Sequence, residues 1–302
     1  MISKIKKIDM HVHSHFSGGP ERVRGGTWPT PDEVREGFRH TGVESALLMS
    51  CGAPEHMHDP ITSRDAQAIH EQNPDIFPWW FCNLDPRMAW NRLDAVPDYS
   101  YYIDFFRERG ARGAGELQAS MYIDDPRMLG MLSHCEKKNF PVTVHFGPFG
   151  SRWGLADDVG LPRLERVLRE LPKLTLIGHA TAFLSEISGD VTERTKHKNN
   201  HAPVAPGGAL IRLMRAYPNL ICDISAASGL CAITRDPDFT YRFFREFSEQ
   251  IVFGTDTSSK ETLTQTAVSI SDFLDGAYRE GMITVGTYEN ICRNNALRIL
   301  GE

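Results

Sequence analysis

The sequence predicts an α/β chain folded as a single (β/α)8 TIM barrel, residues 1–302, with long βα loops and a C-terminal helix. Three observations predict it. Eight short apolar runs rich in Val, Ile, Phe and Trp alternate with helical patterns, the signature of βα units around a parallel sheet. The starts of these runs are separated by 35, 33, 35, 30, 33, 46 and 31 residues, close to one period with one longer step. No GxGxxG follows the first run, which counts against an open doubly wound sheet.

The predicted strands, in order, are "IDMHVH" from Ile8, "VESALLMS" from Val43, "IFPWWFCNL" from Ile76 and "ARGAGELQ" from Ala111. They continue with "PVTVHFG" from Pro141, "LTLIGHA" from Leu174, "LICDIS" from Leu220 and "IVFGTD" from Ile251. The intervening helices announce their starts. Thr30 reads as an N-cap, with Pro31 at the first helical position and Glu33 completing a capping box. Asp125 before Pro126 repeats the device, with Asn139 as a left-handed terminator, and Pro162 and Pro237 open two more helices. The segment "TVGTYENICRNNALRIL", closed by Gly301, reads as a terminal helix over the barrel end. Three connections exceed plain turns: Ser14 to Thr30, Leu84 to Pro97, and Thr181 to Pro206. Loops that follow barrel strands stand on the catalytic face, so these are candidate lids or substrate walls.

Composition excludes several classes. With 41% hydrophobic and 24% charged residues the chain reads as an ordinary globular protein with a large core. A net charge of -6 gives no case for nucleic acid or an anionic membrane as partner. No window reaches the apolar length of a membrane span, and the basic N-terminus runs into histidines without the apolar stretch of a signal peptide. Cys51, Cys82, Cys135, Cys222, Cys231 and Cys292 are scattered without a CxxC pair, so a disulfide framework is not expected and a reducing cytoplasm is. The expected partner is a small-molecule substrate. A homo-oligomer is compatible with the composition, which does not fix the number of subunits.

The barrel reading carries a test within the sequence: polar groups should gather at the C-terminal ends of the strands. His11 and His13 end the first strand, Glu116 and Gln118 lie on the fourth, and His145 ends the fifth. His179 ends the sixth, Asp223 and Ser225 lie on the seventh, and Asp256 ends the eighth. His11 and His13, two apart on a strand, face the same side, as nitrogen ligands to one divalent ion must. His145 and Asp256 are candidates to complete a site with room for water. Each residue alone has a plainer reading: an HxH pair is commonly a polar strand face, Asp256 a helix N-cap, Glu116 an arginine partner. Their joint occurrence at separate strand ends favours a metal, because inward charged groups need partners. His15 lies past the strand end and takes no ligand role. His56, His58, His70, His134, His197 and His201 fall in loops or on helices and read as ordinary surface groups.

At these residues the chain resembles the amidohydrolase superfamily, specifically the amidohydrolase 2 branch, which also contains metal-dependent decarboxylases. The resemblance spans nearly the whole length and rests on "DMHVH", "VTVHFG", "LIGHAT" and "QIVFGTD" in order. It implies that His11, His13, His145 and Asp256 are metal ligands or neighbours of ligands. It makes His179 the strand-six histidine that binds a second metal in some members and assists catalysis in others. Glu116 stands where binuclear members carry a bridging group, and the absence of a lysine from that strand disfavours a carboxylated lysine. The implied cofactor is a divalent metal, zinc foremost with manganese or iron as alternatives, as one or two ions.

The expected activity is that of a metal-dependent hydrolase: a metal-activated water attacks a C–N or C–O bond of a small polar substrate. Asp256 serves as base and proton carrier, and His179 stabilises the oxyanion or orients the substrate. The alternatives are a metal-dependent non-oxidative decarboxylase of a small carboxylic acid on the same site, and a non-catalytic metal-binding relative. Arg22, Arg24, Arg152 and Arg235, and Lys260 after strand eight, are candidates to clamp a substrate carboxylate or phosphate, each equally readable as surface charge. Trp28, Trp79, Trp80 and Trp153 are candidate pocket walls, with Trp79 and Trp80 also readable as strand core.

Overall fold

Alternation along a strand sends successive side chains to opposite faces, and here the two faces form two separate cores. The computed structural model describes residues 5–21, 26–88, 97–151 and 153–302. Eight parallel strands lie side by side in chain order: β1 (Lys7–Val12), β2 (Val43–Met49), β3 (Trp79–Cys82), β4 (Ala111–Leu117), β5 (Val142–His145), β6 (Leu176–His179), β7 (Leu220–Asp223) and β8 (Ile251–Val252). Helices alternate with them, so the arrangement is the expected TIM barrel with a helical C-terminus. Ile8, Met10, Leu47, Met49, Trp79, Phe81, Ile177, Ile221 and Val252 pack inside the barrel. Their neighbours Ala46, Leu48, Trp80, Cys82, Leu176, Leu220 and Cys222 face the helices. Burying a large apolar side chain this fully contributes about 1.5–3 kcal/mol. Gly113 is needed at its place, since a Cβ there would stand 2.5 Å from the Phe81 ring.

The helix starts behave as their sequences direct. The Thr30 hydroxyl accepts from Glu33 N and the Glu33 carboxylate from Thr30 N, ahead of Pro31–Phe38. Asp125 caps Pro126–Lys137, and Asn139 adopts φ +47 just beyond it. The chain's final helical segment is not continuous: a π-helical turn at Asn290–Asn294 separates Val285–Glu289 from Asn295–Leu300. Ala296 and Leu300 seal the bottom of the barrel interior, and Gly301 ends the helix at φ +79.

Several strands are shorter than the sequence suggests, β3 and β8 by the most. β3 begins only at Trp79, because Ile76 and Phe77 turn back to donate to the Asn73 carbonyl and Pro78 has no N–H. β8 pairs as a regular strand for two residues. Beyond it, Phe253 to Thr257 meet β1 and close the barrel, through Met10 N to Phe253 O, Asp256 N to His11 O and His13 N to Thr257 O. Of the three long connections, residues 22–25 and 89–96 lie outside the described residues. The third holds a short helix, Thr181–Leu184, and is tied back by Lys196, buried against Glu186. All six cysteines are buried. No helix of the described residues is long and apolar enough to cross a membrane.

Candidate metal centre

The barrel wall delivers its polar side chains by parity. Two residues past inward Ile177 comes His179, and two past inward Ile221 comes Asp223. His145 lies directly opposite His179 in the β5–β6 ladder. β1 breaks the pattern: its pairing with β2 slips between Asp9 and Val12, so that Met10 remains in the inner core while Val12 joins the outer one. Across that slip His11 and His13 both turn to the barrel axis, as the HxH spacing predicts. Asp256 reaches the same point from a left-handed backbone, φ +52, and Ala180 and Ala226 beside the ends of β6 and β7 are also left-handed, at φ +80 and +66. Conformations costly for residues with a Cβ thus gather around one site.

Nε2 of His11 and Nε2 of His13 are 3.2 Å apart. Glu116 Oε2 lies 3.9 Å from the first and 3.4 Å from the second, and Asp256 Oδ1 lies 3.6 Å from both. The other oxygen of each carboxylate serves a second group. Glu116 Oε1 is 2.6 Å from His145 Nδ1 and 3.8 Å from His179 Nε2, and Asp256 Oδ2 is 3.7 Å from His179 Nε2. The structure therefore brings together His11, His13, Glu116, His145, His179 and Asp256, with Glu116 between two lobes.

The protons follow from the outer partners. His11 Nδ1 lies 2.7 Å from Asp223 Oδ2, and His13 Nδ1 lies 3.2 Å from the Met49 carbonyl. His179 Nδ1 faces Ser225 Oγ at 2.9 Å and Asp223 Oδ2 at 3.2 Å. Acceptors at all three Nδ1 atoms place the hydrogens there in the neutral rings and leave each Nε2 with a lone pair. Three lone pairs and two carboxylates then converge with no donor among them. Such a set costs free energy unless a cation sits within it. The size fits: ligands about 2.0–2.2 Å from a tetrahedral ion stand about 3.3–3.6 Å apart.

Electrostatics agree. Burial would lower the affinity of His11 for a proton, but Asp223, Glu116 and Asp256 outweigh it and hold its pKa well above the ordinary value. Burial would raise Asp223 and Glu116, but the histidines hold both below the usual carboxylate range. The side chains of His11, His13, Glu116, His179 and Asp223 are at most 3% exposed, whereas Asp256 and His145 are each 24% exposed. Those two mark the open side.

Several contributors were only half visible in sequence. Asp223 and Ser225 were seen at a strand end, but their function is to orient two histidines from different strands. Ser225 also donates to Asp223 Oδ2. Gln118 donates to Glu116 Oε2 at 2.5 Å, and Cys51 donates to Gln118 Oε1 at 3.3 Å, fixing which way the amide points. Nothing local in the sequence signals that relay.

The described residues show contacts for only some of the proposed substrate clamps. Arg22, Arg24 and Arg152 lie outside the described residues. Arg235 donates to the carbonyls of Ala202 and Pro203, so its contacts hold the loop after β6 and give no support to a substrate role. Lys260 pairs with Glu33 on the surface, 72% exposed. His15 Nδ1 bonds with Ser17, two residues on. Trp28 packs over His13, ring centroids 5.6 Å apart, whereas Trp79 and Trp80 belong to the inner and outer cores.

No family model matches the chain, and no curated protein matches its sequence. Solved structures match it along its length. An uncharacterised TIM-barrel protein of Bordetella bronchiseptica superposes with a TM-score of 0.65 at 15% identity, covering 98% of this chain and 99% of that one. An amidohydrolase of Burkholderia multivorans with bound zinc gives 0.62 at 14% identity, covering 98% and 99%. The chain shares the (β/α)8 barrel fold of these proteins. 5-Carboxyvanillate decarboxylase of Sphingomonas paucimobilis shares that fold too, with a TM-score of 0.62 at 14% identity and 99% coverage of both chains. At these identities the likenesses show the fold, and the proteins that share it include an amidohydrolase and a decarboxylase.

Proposed function

We propose that the chain is a metal-dependent enzyme of the amidohydrolase type that hydrolyses a C–N or C–O bond in a small polar substrate. The observation that carries this reading is the convergence of the His11, His13 and His179 lone pairs with Glu116 and Asp256. His11, His13, Asp256 and Glu116 Oε2 would hold one divalent ion, zinc foremost. His145 and His179, with Glu116 Oε1, offer the donors for a second.

When bound, such an ion makes water acidic near neutral pH and polarises a carbonyl oxygen. Asp256 stands on the open side, accepts a proton from the attacking water and returns it to the leaving group. Trp28 covers His13 and limits the approach of bulk water from that side. Because the Nδ1 atom of neutral His179 is engaged by Ser225 and Asp223, its Nε2 presents a lone pair to the site. That geometry favours a ligand role for His179 over stabilisation of an oxyanion. The scattered, buried cysteines suit a reducing cytoplasm.

A second reading draws equal support from the shared fold: non-oxidative decarboxylation. There the same side chains would seat a substrate carboxylate, and the carbon that loses carbon dioxide would keep the electron pair and take up a proton. The test is a panel of amides, esters, lactones and aromatic or unsaturated acids, incubated with zinc- or manganese-loaded protein. Hydrolysis predicts acid release without carbon dioxide. Stoichiometric carbon dioxide would establish the decarboxylase, and a metal-loaded protein inert to the whole panel would favour a non-catalytic relative.

A further inference from the structure

The seam between β8 and β1 closes the barrel at the metal centre, and its pairing is incomplete. Met10 N, Asp256 N and His13 N find main-chain carbonyls across it. Thr255 N does not. It donates instead to Asp9 Oδ1 at 3.0 Å, and the same oxygen accepts His11 N at 3.0 Å. One carboxylate oxygen thus collects an N–H from each side of the seam, at the place where β1 slips against β2.

The other oxygen completes the clamp. Asp9 Oδ2 accepts the Thr255 hydroxyl at 2.6 Å, and Thr255 Oγ1 lies 2.7 Å from Thr257 Oγ1 and accepts Thr257 N at 3.2 Å. Both residues flanking Asp256 are therefore tied, directly or through one hydroxyl, to Asp9. Asp256 needs such support, since it holds φ +52 to aim its carboxylate at the histidines. Asp9 itself is fully buried, and its oxygens are taken up by the His11 and Thr255 N–H groups and the Thr255 hydroxyl, outside the convergent set.

We infer that Asp9 is the positioning residue of the metal centre: its carboxylate stands in for the missing strand pairing and sets the spacing of His11 against Asp256. This rests on the metal reading of the centre. An asparagine keeps the seam, because its carbonyl oxygen accepts both N–H groups and its amide can donate to Thr255 Oγ1. Alanine leaves those buried donors unpaired.

The test compares wild type, Asp9→Asn, Asp9→Ala and Thr255→Val by zinc competition against a chelator and by the visible spectrum of the cobalt-loaded protein. Asp9→Ala should bind zinc about 10–100-fold more weakly, the usual cost of losing an outer support of a metal site, with an altered cobalt spectrum. Asp9→Asn should restore most of the affinity and the spectrum, and Thr255→Val should fall between. A folded Asp9→Ala with wild-type affinity and spectrum would overturn the inference, as would Asp9→Asn no better than Asp9→Ala. Should Asp9→Ala fail to fold, Thr255→Val with an unchanged affinity and spectrum overturns it. Wild-type protein that binds neither ion would instead bring down the metal reading beneath it.

Discussion

The Nε2 atoms of His11 and His13 face each other at 3.2 Å, and in the neutral rings neither carries a hydrogen. Without a metal, the charge this pair demands is met by a proton on His11, whose pKa is held well above 6.5 by Asp223, Glu116 and Asp256 despite its burial. A metal ion must displace that proton. Zinc affinity should therefore rise about tenfold per pH unit from pH 6 upward and level off only above the raised pKa, with one proton released per ion. Chelator competition at several pH values, with calorimetry in two buffers of different ionisation enthalpy, checks this. A flat profile would show that His11 carries no proton to displace.

Asp256 holds two posts, ligand and base, and a substitution separates them. Asp256→Asn keeps an oxygen for the ion and loses the proton acceptor. It should retain most of the metal while turnover falls about 10²–10⁴-fold. His11→Ala should lose metal and activity together. Metal analysis beside turnover on any substrate found active distinguishes the two, and near-normal turnover of Asp256→Asn would remove it from the base role.

Much of this was legible in the sequence, for identifiable reasons. The strand pattern put His179 and Asp223 toward the C-terminal ends of their strands, and prolines at first helical positions marked the helices without any tertiary information. The slip in β1 was not legible, because it depends on what β2 and the chain after β8 offer as partners. Nor was the use of Asp9, Asp223 and Gln118. Asp9 and Asp223 act on residues brought near only by barrel closure, up to 246 positions away in the case of Asp9 and Thr255, and Gln118 is aimed at nearby Glu116 by Cys51, 67 positions away. The loop carbonyls that Arg235 meets were not legible either, because a cation following a barrel strand carries no sign of its partners.

Asp157 illustrates the same limit away from the centre. The helix Pro162–Glu170 begins after Leu161, which is left-handed and offers no capping side chain. Asp157 caps it from a distance, accepting Arg163 N at 3.1 Å and Leu164 N at 2.8 Å. Asp157→Ala should cost about 1–2 kcal/mol in urea unfolding at pH 7. Burial pushes this carboxyl from 3.8 up to about 6. The unfolded chain therefore releases its proton first as pH rises, and stability falls between about pH 4 and 6 and is constant above. The stability of wild type relative to Asp157→Asn should decline across that window. A difference independent of pH would contradict the shift.

Lys196 and Glu186 form a buried pair at 2.6 Å, their side chains 1% and 2% exposed, with Lys196 also donating to the Asp158 carbonyl. The pair ties the loop after β6 to the loop after β5. Lys196→Met strands a buried charge and should destabilise by about 3–5 kcal/mol, whereas the double variant with Glu186→Leu should cost less. Chemical denaturation of the single and double variants measures this. A double variant as unstable as the single one would mean that packing, not charge, sets the cost.

The central claim is that the β1, β4, β6 and β8 strand ends form a site for a divalent metal ion. Elemental analysis after dialysis of metal-stripped protein against zinc tests it most directly. At least one zinc is expected per wild-type chain, and at least one fewer in a folded His11→Ala/His13→Ala variant. A wild-type chain that returns from dialysis without zinc, or a double variant that retains as much as wild type, would contradict it.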